Sequence, residues 1–578
     1  MAFKTQQTEE IKPSNKMELS SYQAAILKRG RMRNVRKGKG KRVSLVVDAL
    51  AGSGKSTTSR LLIESVLNKF KGESVISIQF AKAIQMAMEA KILELGIKNT
   101  TVKTASAAGL MVLKLNGITA KGQIQGSKYF FICKEFIEED KNNILTLFLP
   151  RAEDRQLASK VKEVMRKATS QLTDICKMAM STLTDVDDEQ ALRDMMDKYD
   201  VTGEEYLCKF VGRAIRLGMS SLKKGVMGWD DMIYGPLYHS CDFPQYDWVL
   251  VDEAQDLNEA QLQLVMKFGK VFYGFGDKNQ AIMGWAGALS DGMQRFKKLA
   301  NASSLPLTIC YRCDHNILEL ARYIVPAIED RPGCGEGIVG VVQKNQIQSL
   351  VKPGDFVLCR ITAPLVSMCI SLIKSNIPAK VKGRDIGKKL NDIYESIVKS
   401  NPEIMSIDHF IGAYAEHCQE EMTRAIIKKL PSSKIAAIQD DQDCMSAIAS
   451  FISRDALERK ITVSHSALAT RIKDMFEEEP GKQFVTLSTV HRSKGLEAPR
   501  VFIIDFEKMP FQFPGTVLSP EQYQQEKNLI YVAITRAEHE LYFQGEGYND
   551  MEEIHLKLKS FTNPDNCAKV DDTYAEQQ

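Results

Sequence analysis

The stretch "RVSLVVDALAGSGKST", Arg42 to Thr57, constrains the fold more than any other. An apolar run enters a glycine-rich turn and then a long amphipathic segment from Ser56 to Asn68. A strand feeding a helix through such a turn aims backbone N–H groups at one point, with a helix N-terminus behind them, which is a cradle for phosphate. Gly52 and Gly54 let the chain come close to a ligand. Lys55 is placed for the β- and γ-phosphates and Ser56 for a magnesium ion. The general pattern G-x-x-x-x-G-K-[ST] opens on glycine, and Ala49 stands there instead.

The same alternation recurs along the chain. "SVISIQF" (74–80) precedes "AKAIQMAMEAKILEL", "DWVLVDEA" (247–254) precedes "NEAQLQLVMKF", and "KVFYGFGD" (270–277) follows. Continuous apolar runs separated by helical patterns predict parallel strands with helices on both faces. "YFFIC" (129–133) reads as the last strand-like run before a Lys-, Glu-, Met- and Leu-rich helical stretch within 110–225. A second series is expected from about residue 306, with strands in "DFVLCRI" (355–361), "QFVTLSTV" (483–490), "RVFIIDF" (500–506) and "HELYFQ" (539–544). Residues 386–480 are again mostly helical. The expectation is an α/β chain of two parallel-sheet units, each interrupted by a mostly helical insertion, without internal sequence repeats and ending in a polar, frayed tail.

Bulk composition narrows the class. The chain has 578 residues, 44% hydrophobic and 26% charged, as in ordinary globular proteins. No apolar run approaches the roughly 18–20 residues of a membrane span, and the polar N-terminus carries no secretory h-region. Twelve cysteines without regular pairing suit a reduced, intracellular protein. A net charge of +4 is no global field for nucleic acid, but Lys28 to Arg42 holds nine Lys/Arg and no acid. That run is either a solvated loop or an arm for phosphate contacts.

"WVLVDEAQD" supplies the partner of the phosphate loop. It sets Asp252 and Glu253 at the carboxyl end of an apolar strand. Asp252 can hold magnesium, directly or through water, and Glu253 can orient an attacking water and take its proton. A phosphate loop with this acidic pair indicates a nucleoside-triphosphatase.

"ALAGSGKST" with "DEAQD" resembles the UvrD/PcrA/Rep-type superfamily 1 DNA helicases, with features of their F-box DNA helicase branch. Ala49 is that family's own choice. Further segments follow in the family's order: "LSSYQAAIL" (19–27), "ISIQFAKAIQMAMEAKI" (76–92), "MGWDDMI" (227–233), "GDKNQAIMGWAGA" (276–288), "CYRCDHNILELARYI" (310–324), "VTLSTVHRSKGLEAPRVFII" (485–504) and "EKNLIYVAITRAEHELYF" (526–543). The resemblance implies two RecA-like P-loop domains. The first comprises 1–109 and 226–305 around an insertion at 110–225. The second comprises 306–385 and 481–561 around an insertion at 386–480, with a tail at 562–578.

The resemblance also implies roles. ATP would be held by Gln23 at the adenine edge, by Ala51, Gly52, Ser53, Gly54, Lys55, Ser56 and Thr57 around the phosphates, by Tyr311 stacked on the base and by Glu497 at the ribose. Mg2+ would sit on Ser56 and Asp252. Catalysis would fall to Lys55, Asp252, Glu253, Gln280 as γ-phosphate sensor, and Arg312 and Arg536 reaching across from the second domain. DNA would meet Phe80, Thr104, the base-stacking Trp285, His491 and Arg492. The implied activity is ATP-driven 3′–5′ movement on single-stranded DNA or a single/double-strand junction, in replication, repair or recombination. The place is cytoplasmic, nucleoid-associated, host-cytoplasmic for a virus or nuclear for a eukaryote.

Departures cluster where the chain would meet DNA. Met283 replaces a tyrosine, Ala286 an arginine, and the histidine of T-x-H-S is missing from Thr104-Ala105-Ser106-Ala107. Three alternatives stay open: a motor that strips bound proteins without processive unwinding, an ATP-gated subunit of a nuclease or replication complex, and RNA as substrate. Cys310 and Cys313 read as thiols rather than metal ligands, because no second close pair accompanies them.

Overall fold

The computed structural model describes residues 19–31, 43–70, 72–118, 124–149, 151, 158–284, 287, 291–375, 377–427, 432–476, 483–512 and 518–561. Two six-stranded sheets organise the chain. The first contains β1 (Leu45–Ala49), β2 (Val75–Gln79), β3 (Thr100–Thr104), β4 (Trp248–Val251), β5 (Phe272–Gly276) and β6 (Ser303–Leu307) in the order β3-β2-β4-β5-β1-β6. Every pairing in it is parallel; Leu45, for example, lies opposite Tyr273 on one side and Ser303 on the other. β2, β4 and β5 are buried at every position, as strands covered on both faces must be.

After β6 a short pair, β7 (Ile309–Cys310) and β8 (Glu329–Asp330), leads to the second sheet. That sheet holds β9 (Ile338–Val341), β10 (Phe356–Cys359), β11 (Ala379–Val381), β12 (Val485–Thr489), β13 (Ala498–Ile503) and β14 (Ala537–Phe543) in the order β11-β12-β10-β13-β14-β9, all parallel. The α/β architecture with two RecA-like parallel sheets agrees with the sequence expectation.

Both helical insertions leave from an edge strand, β3 or β11, and return to that strand's side of the sheet. The first has a core of its own, centred on Tyr129, Leu172, Ile175 and Ile215. The second shares a core with β10, β11 and β12, through residues such as Phe410, Ile448 and Met475 against Val357, Val381 and Leu487.

One expectation is corrected. "YFFIC" lies inside a helix, Lys128–Glu139. Tyr129, Cys133, Phe136 and Ile137 are buried at helical spacing while Phe131 faces outward, so the local apolar run is one turn of an amphipathic helix. The chain stays in the first sheet until Leu307, and the second sheet begins only at β9. β3, β9 and β11, partly polar or very short, escaped the sequence reading. Among the described residues no helix is long and apolar enough to cross a membrane.

A buried polar knot ties the first insertion to the stretch before β4. The Lys128 ammonium donates to Asp231 Oδ2 (2.5 Å) and Gly218 O (2.6 Å), and Tyr129 OH donates to Asp231 Oδ1 (2.8 Å). Side-chain exposure is 2% for Lys128 and 0% for Asp231. Removing one partner of a buried ion pair strands the other charge, at a typical cost of about 3–5 kcal/mol. Asp231→Ala should lower the unfolding free energy by about that much in denaturant titration. Lys128→Met added to it should recover part of the loss; a null effect of Asp231→Ala would contradict the knot's role.

Candidate active site between the two sheets

β1 ends at Ala49, and the loop to the helix Lys55–Lys69 takes positive φ at Gly52 (64°) and Gly54 (79°). Glycine is required at the first: a Cβ on Gly52 would stand 2.7 Å from Cys310 Sγ and 2.8 Å from Arg312 Cβ. Ser53 Oγ donates to Leu50 O (2.7 Å), which folds the loop on itself. Ser56 is exposed at the helix start. Gln23 lies buried beside the loop, donating to Thr58 Oγ1 (3.3 Å) and accepting from Ser20 N–H (3.1 Å). Its amide therefore braces the helix after the loop.

The acidic pair meets the loop. Lys55 Nζ lies 2.9 Å from Glu253 Oε1 and 3.0 Å from Oε2. Burial pulls the Lys55 ammonium down, but Glu253, Asp252 and Asp277 outweigh it and hold it above its ordinary value. Burial would raise Glu253, yet Lys55, Lys494 and a hydrogen bond from Gln255 bring it down to about 2. Asp252 goes the other way, to about 7, through burial and the neighbouring Glu253. Glu253 adopts φ 51°, a left-handed conformation uncommon for a residue with a side chain.

Gln255 joins two motifs. It donates to Glu253 Oε2 (2.6 Å) and accepts from the amide of Asp277 (3.1 Å), while Gln280 Nε2 donates to Asp277 Oδ2 (2.7 Å). Glu253 and Gln280 are thus connected through Gln255 and Asp277, neither singled out from sequence.

Three contacts close the cleft from the other side. Lys494 Nζ, at the end of the short helix Val490–Ser493, donates to Asp256 Oδ2 (2.6 Å) and Gln280 O (2.6 Å). Tyr531 OH accepts from the Ala51 amide (3.0 Å), so that loop N–H is engaged by the second sheet unit. The Tyr311 amide donates to Gly52 O (2.8 Å). Lys494 and Tyr531 lie within segments quoted for the resemblance, but sequence offered no partner for either.

The arginines sit together. Arg312 Nε pairs with Glu497 Oε2 (2.5 Å) and its Nη1 donates to Thr535 O (2.9 Å). Arg536 is 1% exposed, and donates from Nε to Val532 O (3.0 Å) and from Nη1 to Leu496 O (2.9 Å). Burial, then Arg312, pushes Arg536 down to about 9. Arg312 sets its Cβ against Gly52 while its guanidinium is held by Glu497 and the Thr535 carbonyl, and Arg536 is held by carbonyls. Tyr311 is 39% exposed beside them, with its ring available for stacking.

The residues suit ATP with Mg2+. Two positive-φ glycines bring backbone to a phosphate position, Lys55 stands at that position on a carboxylate, and Ser56 with Asp252 offers the hydroxyl-plus-carboxylate oxygen set that magnesium takes. Asp252, raised to about 7, is a carboxyl whose charged form lacks a dedicated cation. Among the described residues no three His, Cys, Asp or Glu are grouped to hold a metal, so phosphate oxygens and water would complete the shell.

The expected DNA contacts are more scattered. Phe80, just past β2, is 42% exposed. Thr104 caps the helix Ala105–Leu115, its Oγ1 accepting from Ala107 N–H (3.2 Å). Trp285 and Ala286 lie outside the described residues, as do 32–42 of the basic run. Met283 packs on the second unit's core rather than presenting a ring to a base. Its segment is gripped by Asn528, which donates to Ala281 O (2.9 Å). His491 is partly exposed, and burial with Arg360, Arg492 and Lys494 drives it down to about 3. Its imidazole is therefore held neutral in this arrangement.

Two outcomes follow. Lys494→Met should leave nucleotide affinity within about twofold and lower ATP turnover by about tenfold to a hundredfold, since it unties Gln280 and Asp256 without touching the loop; turnover equal to wild type would contradict the bridge. For His491 the folded value lies below the unfolded value of about 6.5, so the unfolded chain binds a proton that the native one refuses. That contribution to stability is intact above about pH 6.5 and is lost as pH falls toward 3. Denaturation midpoints at pH 7 and pH 5 should therefore differ more for wild type than for His491→Gln.

Comparison with known proteins now bears on this geometry. A protein called ATP-dependent DNA helicase PcrA from Staphylococcus epidermidis is 25% identical over 398 residues, 52% of this chain and 55% of the relative. One of the same name from Bacillus subtilis is 24% identical over 404 residues, 52% and 54% of the two chains. The chain spans about half the length of these curated relatives. A solved structure titled "Crystal structure of Arterivirus nonstructural protein 10 (helicase)" covers 93% of this chain and 63% of its own at 12% identity and TM-score 0.33, too distant to carry an argument. A family description, the UvrD-like helicase C-terminal domain, matches residues 86–545. That match spans most of the chain and takes in every motif from the acidic pair to "YVAITRA": the chain belongs to the UvrD-like helicase family.

Proposed function

We propose that the protein is an ATP-driven motor that moves on single-stranded DNA and unwinds duplex, in the 3′–5′ direction of the family it resembles. The observation that carries the reading is the half-buried Lys55–Glu253 pair beside Asp252, closed over by Lys494, Tyr531 and Arg312 from the far side of one cleft. Two proposed RecA-like domains, 1–109 with 226–305 and 306–385 with 481–561, form the walls of that cleft.

In this reading Lys55 leaves Glu253 for the β/γ-phosphates of ATP. Glu253, freed of its cation, orients the attacking water and takes its proton. Gln280, tied to Asp277 and Gln255, reports the γ-phosphate to the second domain through Lys494. Ser56 and Asp252 would hold Mg2+, which would supply positive charge beside the transferring phosphoryl group. Arg312 supplies transition-state charge across the cleft, an effect worth about 10³–10⁵ in rate in related chemistry. Arg536 joins it once released from the Val532 and Leu496 carbonyls. Tyr311 stacks on adenine, and Glu497 passes from Arg312 to the ribose. Phe80, Thr104, Trp285, His491 and Arg492 are the proposed DNA contacts. Stacking on aromatics is sequence-tolerant, at about 1–3 kcal/mol per base, and suits a translocating motor.

Met283 favours a second reading, a motor that strips proteins from DNA without processive unwinding. The side chain at the family's tyrosine position is used for packing, which weakens the grip on bases. Strand-displacement and streptavidin-displacement assays side by side separate the two. A docking partner in replication, repair or nuclease action, and a place in the compartment that holds the DNA, are part of the same proposal.

Glu253→Gln keeps the loop and its helix, and removes the proton acceptor together with the charge that pairs with Lys55. It should bind ATP with near-wild-type affinity and hydrolyse it at least about a thousandfold more slowly, as expected for loss of a group that acts in the transition state. Near-normal turnover in that variant would sink the assignment.

A further inference from the structure

Cys310 and Cys313 are both fully buried, one on each side of Tyr311-Arg312. The Cys313 amide donates to Cys310 Sγ (3.5 Å), which folds the C-x-x-C turn back on its first thiol. Cys310 Sγ packs directly on Gly52 of the phosphate loop, so closely that a Cβ there would lie 2.7 Å away. Cys313 Sγ donates to Thr535 O (3.8 Å), the carbonyl that also holds Arg312 Nη1 (2.9 Å). The pair is therefore built into the turn that positions an expected adenine platform and an expected arginine finger.

Another touching pair, Cys133 with Cys176, lies in the apolar core of the first insertion, and there the hydrogen bond from Cys133 and burial push Cys176 well up. At the cleft the partner thiol and burial likewise push Cys313 well up, and the difference lies in Cys310. The Cys313 thiol, backbone N–H groups and Arg312 hold Cys310 down to about 6 against its burial. A thiolate beside a partner thiol in a C-x-x-C turn is the reactive arrangement, and burial in apolar surroundings the inert one.

We propose that Cys310 and Cys313 form a redox modification site, a dithiol that a hydroperoxide converts to a disulfide and that thereby slows the nucleotide site. Cys310 attacks the peroxide: its S–O bond forms, the O–O bond breaks and the leaving hydroxide takes a proton to become water. Cys313 then attacks the Cys310 sulfenic acid and gives up its proton; the S–S bond forms, the S–O bond breaks and the second hydroxide leaves as water. The balance is two thiols and one hydroperoxide to one disulfide and two waters (one water and one alcohol for an organic hydroperoxide). Opening of the cleft exposes Cys310, because its outer neighbour is the phosphate loop itself. A bound nucleotide that keeps the cleft shut should therefore protect the pair. The thiol chemistry stands independently of the motor reading, and its effect on turnover rests on that reading.

The test treats the fully reduced chain with hydrogen peroxide, maps disulfides by mass spectrometry and follows ATP turnover in parallel. A Cys310–Cys313 disulfide should appear while Cys133 and Cys176 remain reduced. Turnover should fall by about tenfold, less than the ~10³ of outright arginine-finger loss, and return with dithiothreitol. Cys313→Ser should give a dimedone-reactive Cys310 and no disulfide, and the double variant Cys310→Ser/Cys313→Ser should keep its turnover in peroxide. Oxidation elsewhere with this pair still reduced overturns the site, and a disulfide without loss of turnover overturns the switch. Absence of ATP hydrolysis in the reduced wild type would count against the motor reading, while the mapping would still decide the thiol chemistry.

Discussion

The architecture depends on one ammonium group placed between two sheets. Lys494 belongs to the second unit, yet both oxygens it holds, Asp256 Oδ2 and Gln280 O, belong to the first. Its side chain is 8% exposed and that of Asp256 is 0% exposed, so neither charge is solvated in compensation. Burial and Glu253 push Asp256 up to about 6 even with Lys494 beside it. Such a pair is strong while closed and expensive when half-open, which suits a joint that two domains make and break together. Around it lie the Tyr531–Ala51 and Tyr311–Gly52 contacts, and all three converge on the loop or on the acids that face it.

The buried electrostatics divide the acids by role. Asp252 and Glu253 are adjacent, but Lys55 makes its direct ion pair with Glu253, and the two carboxyls move in opposite directions. One carboxyl is thus kept ionised while its neighbour waits for charge from outside. The left-handed backbone at Glu253 turns its side chain toward Lys55 and Gln255, at a typical conformational cost of about 1–3 kcal/mol.

Legibility in the sequence followed the range of the interactions. The loop, its helix and the acidic strand end could be read because each is a local pattern: apolar run, glycines, then charged residues at fixed offsets. The placing of Lys494 and Tyr531 could not, because their partners lie 238 and 480 positions away and only the closed cleft brings them together. Gln255 sits within a quoted motif, yet nothing local says that it bridges Glu253 to Asp277. "YFFIC" misled because a five-residue apolar run fits a buried strand and one face of a helix equally well. β11 was missed because its three residues carry too short a pattern, and Arg536 was legible as a cleft residue but its carbonyl partners were not.

The central claim is that closure of this cleft is coupled to single-stranded DNA. The most direct measurement is steady-state ATP hydrolysis by the full chain, alone and with saturating single-stranded DNA or RNA of matched length. The account predicts strong stimulation by DNA and weaker stimulation by RNA. Turnover that neither polymer changes would contradict it.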